Sequence, residues 1–463
     1  MEDKRFVKLI IGVILSLLGL IAVFSFIAAN IPPHMHKIVV NGSLQEAEVS
    51  NQSLQISFTQ PMKPDPIELS VTPNVAYTTL WQNNTLFIHF SDPLLYGTEY
   101  RVAIISQLEN IYGKKLDKEI SLNFTTKQAK IIFQQYPDKI LSSNVSGEDI
   151  KILYESHEIA DFIKFGNTVA VLKFPKGEST EIILIDTESG ETESHSIGYA
   201  VYAMQYSQAV RKLMLLAQDI REPNDPIGTG AHLRQLYFYD TETHAVEPFA
   251  SGETLFEVDN FLLSQNGRIV LYRDISDSIY YLSDVLKPNE KPVLIGNYIA
   301  ANEFDQSGKT MLFTKEDDQS PLGYLSIEMY SVGGQKKSLS GQWIHAIEPV
   351  FIPGTDAIVY SEKYNAPLSL LDLFRVKIIN SETGEVVFDL FEEGYSYETP
   401  RVSRNGQFAI VEKFSESQLA GTGSERIVGY RQKGTSAELY MIRLDNNEVV
   451  RLPVNGINVI FEE

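Results

Sequence analysis

The chain has no cysteine in 463 residues. That excludes disulfides, thiolate catalysis, iron–sulfur clusters and cysteine-ligated zinc. Positive charge is short: 39 Lys and Arg stand against 60 Asp and Glu, a formal net charge of −21. Such a balance argues against nucleic acid, whose affinity comes from cations neutralising phosphates, and against docking of the body on anionic lipid. Catalytic signatures are missing too. There is no G-x-S-x-G nucleophile elbow, no G-x-x-x-x-G-K-[ST] phosphate loop and no D-x-[DN]-x-[DN]-G calcium loop. His157-Glu158-Ile159-Ala160-Asp161 lacks the second histidine of a zinc-protease helix. His34-Met35-His36 reads as a solvated linker, and acidic pairs such as Glu392-Glu393 as turn charge. No residue is singled out as catalytic, metal-ligating or cofactor-binding.

Only one long apolar run is present. Leu9 to Ala29 carries no charge and follows Lys4, Arg5 and Lys8. At 1.5 Å per residue it covers about 30 Å, the thickness of a hydrocarbon core. Residues 1–31 are therefore predicted to be a cytoplasmic stub and a transmembrane signal-anchor. The basic flank puts the N-terminus in the cytoplasm and the body outside, on a bacterial cell surface. A cleaved signal peptide is the alternative, although its apolar region is normally shorter.

Residues 32–127 alternate apolar and polar side chains in short runs, as in Leu54-Gln55-Ile56-Ser57-Phe58 and Tyr100-Arg101-Val102-Ala103-Ile104. Period two with Pro, Asn and Gly punctuation predicts an antiparallel β-sandwich. Phe58-Thr59-Gln60-Pro61-Met62, Pro73, Trp81, Thr98-Glu99-Tyr100, Gly113 and Phe124-Thr125-Thr126 occur in order. The segment resembles the bacterial Ig-like domains of cell-surface proteins, and the resemblance implies a spacer or adhesion module. The acidic residue usual before the late glycine is here Asn110 or Tyr112.

Residues 128–463 repeat one unit. An apolar strand leads into a polar turn, Ser264-Gln265-Asn266-Gly267, Asp305-Gln306-Ser307-Gly308 or Ser403-Arg404-Asn405-Gly406. A second and third strand follow, then a turn such as Asp186-Thr187-Glu188-Ser189-Gly190, then a fourth strand. Four strands every 40–55 residues or so predict β-propeller blades. The turns resemble those of TolB-like, WD-repeat-related propellers. Six complete units fall between 162 and 455. Lys130–Phe133 and Ile150–Tyr154 at one end and Ile457–Phe461 at the other remain, and pairing them makes a mixed seventh blade, with six blades as the alternative. The fold class is all-β behind an N-terminal helix.

Insertions between the second and third strands, at 219–235, 363–374 and 414–437, break the repeat. They place Arg221, Asp225, His232, Arg234, Glu425, Arg426, Tyr430 and Arg431 on one face as candidate partner-binding residues. The expected function is a membrane-anchored extracytoplasmic scaffold that presents the propeller to a protein, peptide or envelope glycan. The alternative is a polysaccharide hydrolase or lyase using the central funnel, and a third is a sensor signalling through the helix. TolB-like propellers also precede a hydrolase domain in prolyl-oligopeptidase-type peptidases, and none follows the propeller in this sequence.

Overall fold

The computed structural model describes residues 2–49, 52–116, 118–135, 138–173, 180–219, 233–249, 257–317, 320, 323–339, 345–365, 369, 371–420 and 436–462. The chain divides into two compact units, Met1–Gln128 and Ala129–Glu463.

The first unit opens with a helix, Glu2–Asn30. The expectation of a membrane anchor is corrected here. Among the described residues no helix is long and apolar enough to cross a membrane.

Two antiparallel sheets follow. One orders Met35–Val40, Ser53–Phe58, Thr85–Phe90 and Tyr77–Gln82, and the other Leu69–Thr72, Glu99–Ile104 and Ser121–Thr125. Inward residues alternate, so Tyr100, Val102 and Ile104 are all buried while Glu99 and Arg101 are exposed. They join Leu54, Ile56, Phe58, Leu86 and Phe124 in one core, with Trp81 packed at its margin. Motif residues hold the strand ends. The Tyr100 hydroxyl accepts the Leu95 N–H at 3.0 Å. Thr126 Oγ1 accepts the Thr98 N–H at 2.9 Å and donates to the Leu95 carbonyl at 2.6 Å. Asn110 takes the place of the usual acid: its Oδ1 accepts the N–H groups of Tyr112 and Lys114.

The second unit is a ring of seven four-stranded blades, two of which share one seven-stranded sheet. The inner strands of blades one to six are Ile159–Phe165, Tyr199–Ser207, Val258–Leu263, Ala300–Phe304, Ala346–Phe351 and Tyr395–Val402. The seventh blade is closed by the strand Glu448–Phe461. Its first part pairs with Ala437–Arg443 as the fourth strand of blade six. Its last residues pair with Lys130–Gln135, Ile457 against Gln134 and Phe461 against Ile131, as the inner strand of blade seven. Gly456 marks the changeover, and a Cβ there would lie 2.4 Å from the Phe133 ring. Joining the two ends of the unit in one blade removes a free sheet edge.

Second strands read as continuous apolar runs because neighbouring blades cover both faces. Leu213 to Ala217 are all buried. Shared clusters then link blade to blade, as where Ile132 and Ile140 of blade seven meet Phe162 and Val171 of blade one. The repeated turns have a mechanical origin. Ser264 Oγ accepts the Ile269 N–H at 2.9 Å, and Ser403 Oγ accepts the Phe408 N–H at 3.0 Å. Gly267 adopts φ 66° and backs onto Ser207 and Gln208 of the preceding blade, so it serves both the turn and the packing. The glycine-free copy, Ser207 to Arg211, puts Arg211 at φ 57° instead.

Candidate functional site

Every inner strand carries one extra residue against its neighbour. Register slips between Ile159 and Asp161, Val201 and Ala203, Val258 and Asn260, and Ala301 and Glu303. It slips again between Ile347 and Val350, Glu398 and Arg401, and Ile457 and Ile460. A bulge bends a strand and re-aims its side chains, and seven around one axis concentrate irregular backbone in the central passage. Glu348, Thr399 and Asn458 accordingly take left-handed φ of 51°, 51° and 54°.

Side chains of the preceding blade accept N–H groups of the inner strands, two of them, Thr399 and Asn458, within the bulges. Gln205 Oε1 takes the Leu263 N–H at 2.7 Å, and Glu303 Oε2 the Phe351 N–H at 2.5 Å. Glu348 Oε2 takes the Thr399 N–H at 2.8 Å, and Glu412 Oε1 the Asn458 N–H at 2.9 Å. The inner strands are thereby braced around the ring by buried or half-buried acceptors.

Where pairing resumes after the bulge stand Asp161 in blade one, Glu303 in blade four and Arg401 in blade six. The other blades have Ala203, Asn260, Val350 and Ile460 there. Water still reaches the two carboxyls, and Arg401 is exposed. The walls nonetheless crowd them enough that burial pushes Asp161 up to about 6 and Glu303 up to about 8. Backbone N–H donors and the positive charge of Arg401 oppose both shifts. The three side chains hold the same position of their inner strands, just past the bulge, and the Arg401 charge lowers both carboxyls. The arrangement can hold a ligand bearing both charges, and its carboxyls can exchange protons in the neutral range.

Of the candidate loop residues, Arg234 lies near this passage. Its guanidinium sits 5.1 Å from the ring centre of Tyr202, the bulge residue of blade two, whose hydroxyl bonds Gln218 at 3.0 Å. Arg221, Asp225, His232, Glu425, Arg426, Tyr430 and Arg431 lie outside the described residues. Of the apolar insertion at 363–374, Leu371 and Leu373 pack into the core with Phe414, Leu419, Ala437 and Ile457. Beside it Lys413 is enclosed by Tyr395 at 3.9 Å and Tyr440 at 5.2 Å and paired with Glu392 at 2.5 Å. Asp161, Glu303 and Arg401 escaped the sequence reading. Glu303 and Arg401 each stand two residues ahead of a repeated turn, and a charge at that point of an inner strand was the available signal.

Residues 29–126 match the model of the bacterial Ig-like domain family, and the first unit is of that class. Comparison with curated proteins gives no match to this chain. Among solved structures, the β-propeller domain of the Trilobed protease from Pyrococcus furiosus is similar, with 12% identity and a TM-score of 0.46 over 79% of this chain and 97% of that one. TolB from Acinetobacter baumannii is similar at 14% identity and a TM-score of 0.41, covering 79% of each chain. The seven-bladed assignment rests on the strand pairing itself.

Proposed function

We propose that this chain is an extracytoplasmic bacterial binding protein in which the Ig-like domain acts as a spacer and the propeller captures a ligand at its axial passage. The observation that supports this reading is the placement of Asp161, Glu303 and Arg401 just past the bulges of their inner strands. Carboxyls beside an exposed guanidinium, in a chain of net charge −21, suit a peptide segment that offers an amine and a carboxylate to the same site. The test is capture of envelope peptides by the full chain, compared with Arg401→Met and Glu303→Gln. Binding to the wild type that falls at least tenfold in both variants supports the reading, and binding indifferent to both sinks it.

The raised carboxyls favour a second reading, a polysaccharide hydrolase or lyase, since acid–base work at neutral pH needs such groups. Release of new reducing ends from envelope glycan, lost in Glu303→Gln, would decide for it.

A further inference from the structure

We propose a transition-metal site at the outer rim of the propeller, between blades one and two, built from Glu193, His195 and His244. Glu193 and His195 lie on the outermost strand of blade one, Thr192–Ser196. Two residues apart on a strand, they point to the same side. His244 comes from the last turn of blade two and meets them across the blade boundary. Glu193 Oε1 is 2.9 Å from His195 Nε2 and 3.4 Å from His244 Nε2. The two imidazoles stack with ring centres 3.6 Å apart, and the potential ligand atoms of all three residues lie within 4.8 Å of one another. A tetrahedral ion with bonds near 2.1 Å needs ligand atoms about 3.4 Å apart, a spacing close to that found here, and turning the imidazoles out of their stack would aim both lone pairs at one ion.

Three further observations point the same way. His195 Nε2 is buried and has no hydrogen-bond partner, despite the carboxylate beside it. The other ring nitrogen of His244, Nδ1, is 3.0 Å from the hydroxyl of the fully buried Tyr239. When Nδ1–H donates there, the Nε2 lone pair is free for a metal, and the buried partner holds the ring in place. Third, His244 stands at φ 60°, the slot that Gly190 and Gly384 fill at φ 76° and 73° in blades one and five. A histidine there spends backbone strain that glycine would avoid. Two imidazoles and one carboxylate select zinc, nickel or copper over magnesium or calcium. Three protein ligands leave a position for water or a group of a partner.

The test is calorimetric titration of the full chain with zinc alone, with magnesium as control, on wild type, His195→Asn, His244→Gly and His34→Asn/His36→Asn. Expected are one zinc per chain, no comparable magnesium binding, at least tenfold weaker binding in His195→Asn and His244→Gly, and none of that loss in the linker variant. His244→Gly keeps the proposal falsifiable if folding is in doubt. Glycine suits the turn, so its metal-free melting temperature should match or exceed wild type while the zinc-dependent rise in melting temperature vanishes. The proposal is overturned if wild type shows no saturable zinc binding, if binding persists undiminished in His244→Gly, or if only the His34 and His36 substitutions abolish it.

Discussion

The sandwich and the propeller solve the same packing problem in opposite ways. In the sandwich, two sheets close on one continuous core running from Leu54 to Phe124, and its polar residues serve strand ends and turns. In the propeller, burial is divided among clusters shared by neighbouring blades, such as the one joining Met214 and Leu216 to Phe261 and Val270. Seven blades set radially leave an axis that no single sheet can fill. Bulges, N–H groups braced by side chains, and charged residues line it. A single closed core leaves little room for chemistry, whereas a ring provides both an axis and seams between blades, where side chains distant in sequence meet.

The largest effect should come from breaking ring closure. Val459 is 1% exposed in the strand that joins blades six and seven. Val459→Asp buries an unpaired charge there and should cost more than about 4 kcal/mol. Segment-resolved hydrogen exchange should show protection lost across 129–462 and retained across 32–126. Phe124→Ala sharpens the contrast from the other side. It leaves a cavity in the sandwich core, costs about 3–5 kcal/mol and should reverse that exchange pattern. Lys413→Met removes a cation held over Tyr395 and Tyr440. A loss of about 2 kcal/mol in the propeller, read by urea denaturation, is expected.

A smaller effect follows from the axial carboxyl. Glu303 titrates near 8 in the folded chain, against its ordinary value of 4.5. Between those values the folded state holds a proton that the unfolded state has lost, so stability falls as pH rises through that window and levels off above about 8. Glu303→Gln should flatten the decline in propeller melting temperature between pH 5 and pH 8.5. An unchanged slope would remove Glu303 as its source. Least of all, Arg268→Ala breaks an exposed pair with Asp284 (3.0 Å) and should change stability by under about 0.5 kcal/mol in a urea titration.

Much of the fold was legible because it is written in local turn chemistry. Ser264, Asp305 and Ser403 each accept backbone N–H groups of the turn they begin, so the repeat announces itself. Among the sandwich motifs Asn110 is of the same local kind, capping the N–H groups of Tyr112 and Lys114, whereas Thr126 ties strand ends 28 residues apart. The expectation drawn from the long apolar run near the N-terminus was overturned, since among the described residues no helix is long and apolar enough to cross a membrane. The candidate sites were harder to see. Glu193 and His195 are near in sequence, but His244 joins them only because blade two lies beside blade one. One trace was present: Asp240-Thr241-Glu242-Thr243-His244 puts histidine where the sibling turn has Gly190.

The sequence by itself determined where strands begin and turn, since period-two alternation and left-handed turn residues act over a few residues. It also set the acidic surface and the absence of thiol chemistry. The pairing of the two chain ends in a mixed seventh blade was legible too, and only the tertiary structure decided that one unbroken strand, Glu448–Phe461, serves blades six and seven, that Asp161, Glu303 and Arg401 hold equivalent places after the bulges, and that a carboxylate and two imidazoles meet at the rim. Those contacts join residues dozens to hundreds of positions apart. They are set by the closure of the ring, a global constraint that no local pattern encodes.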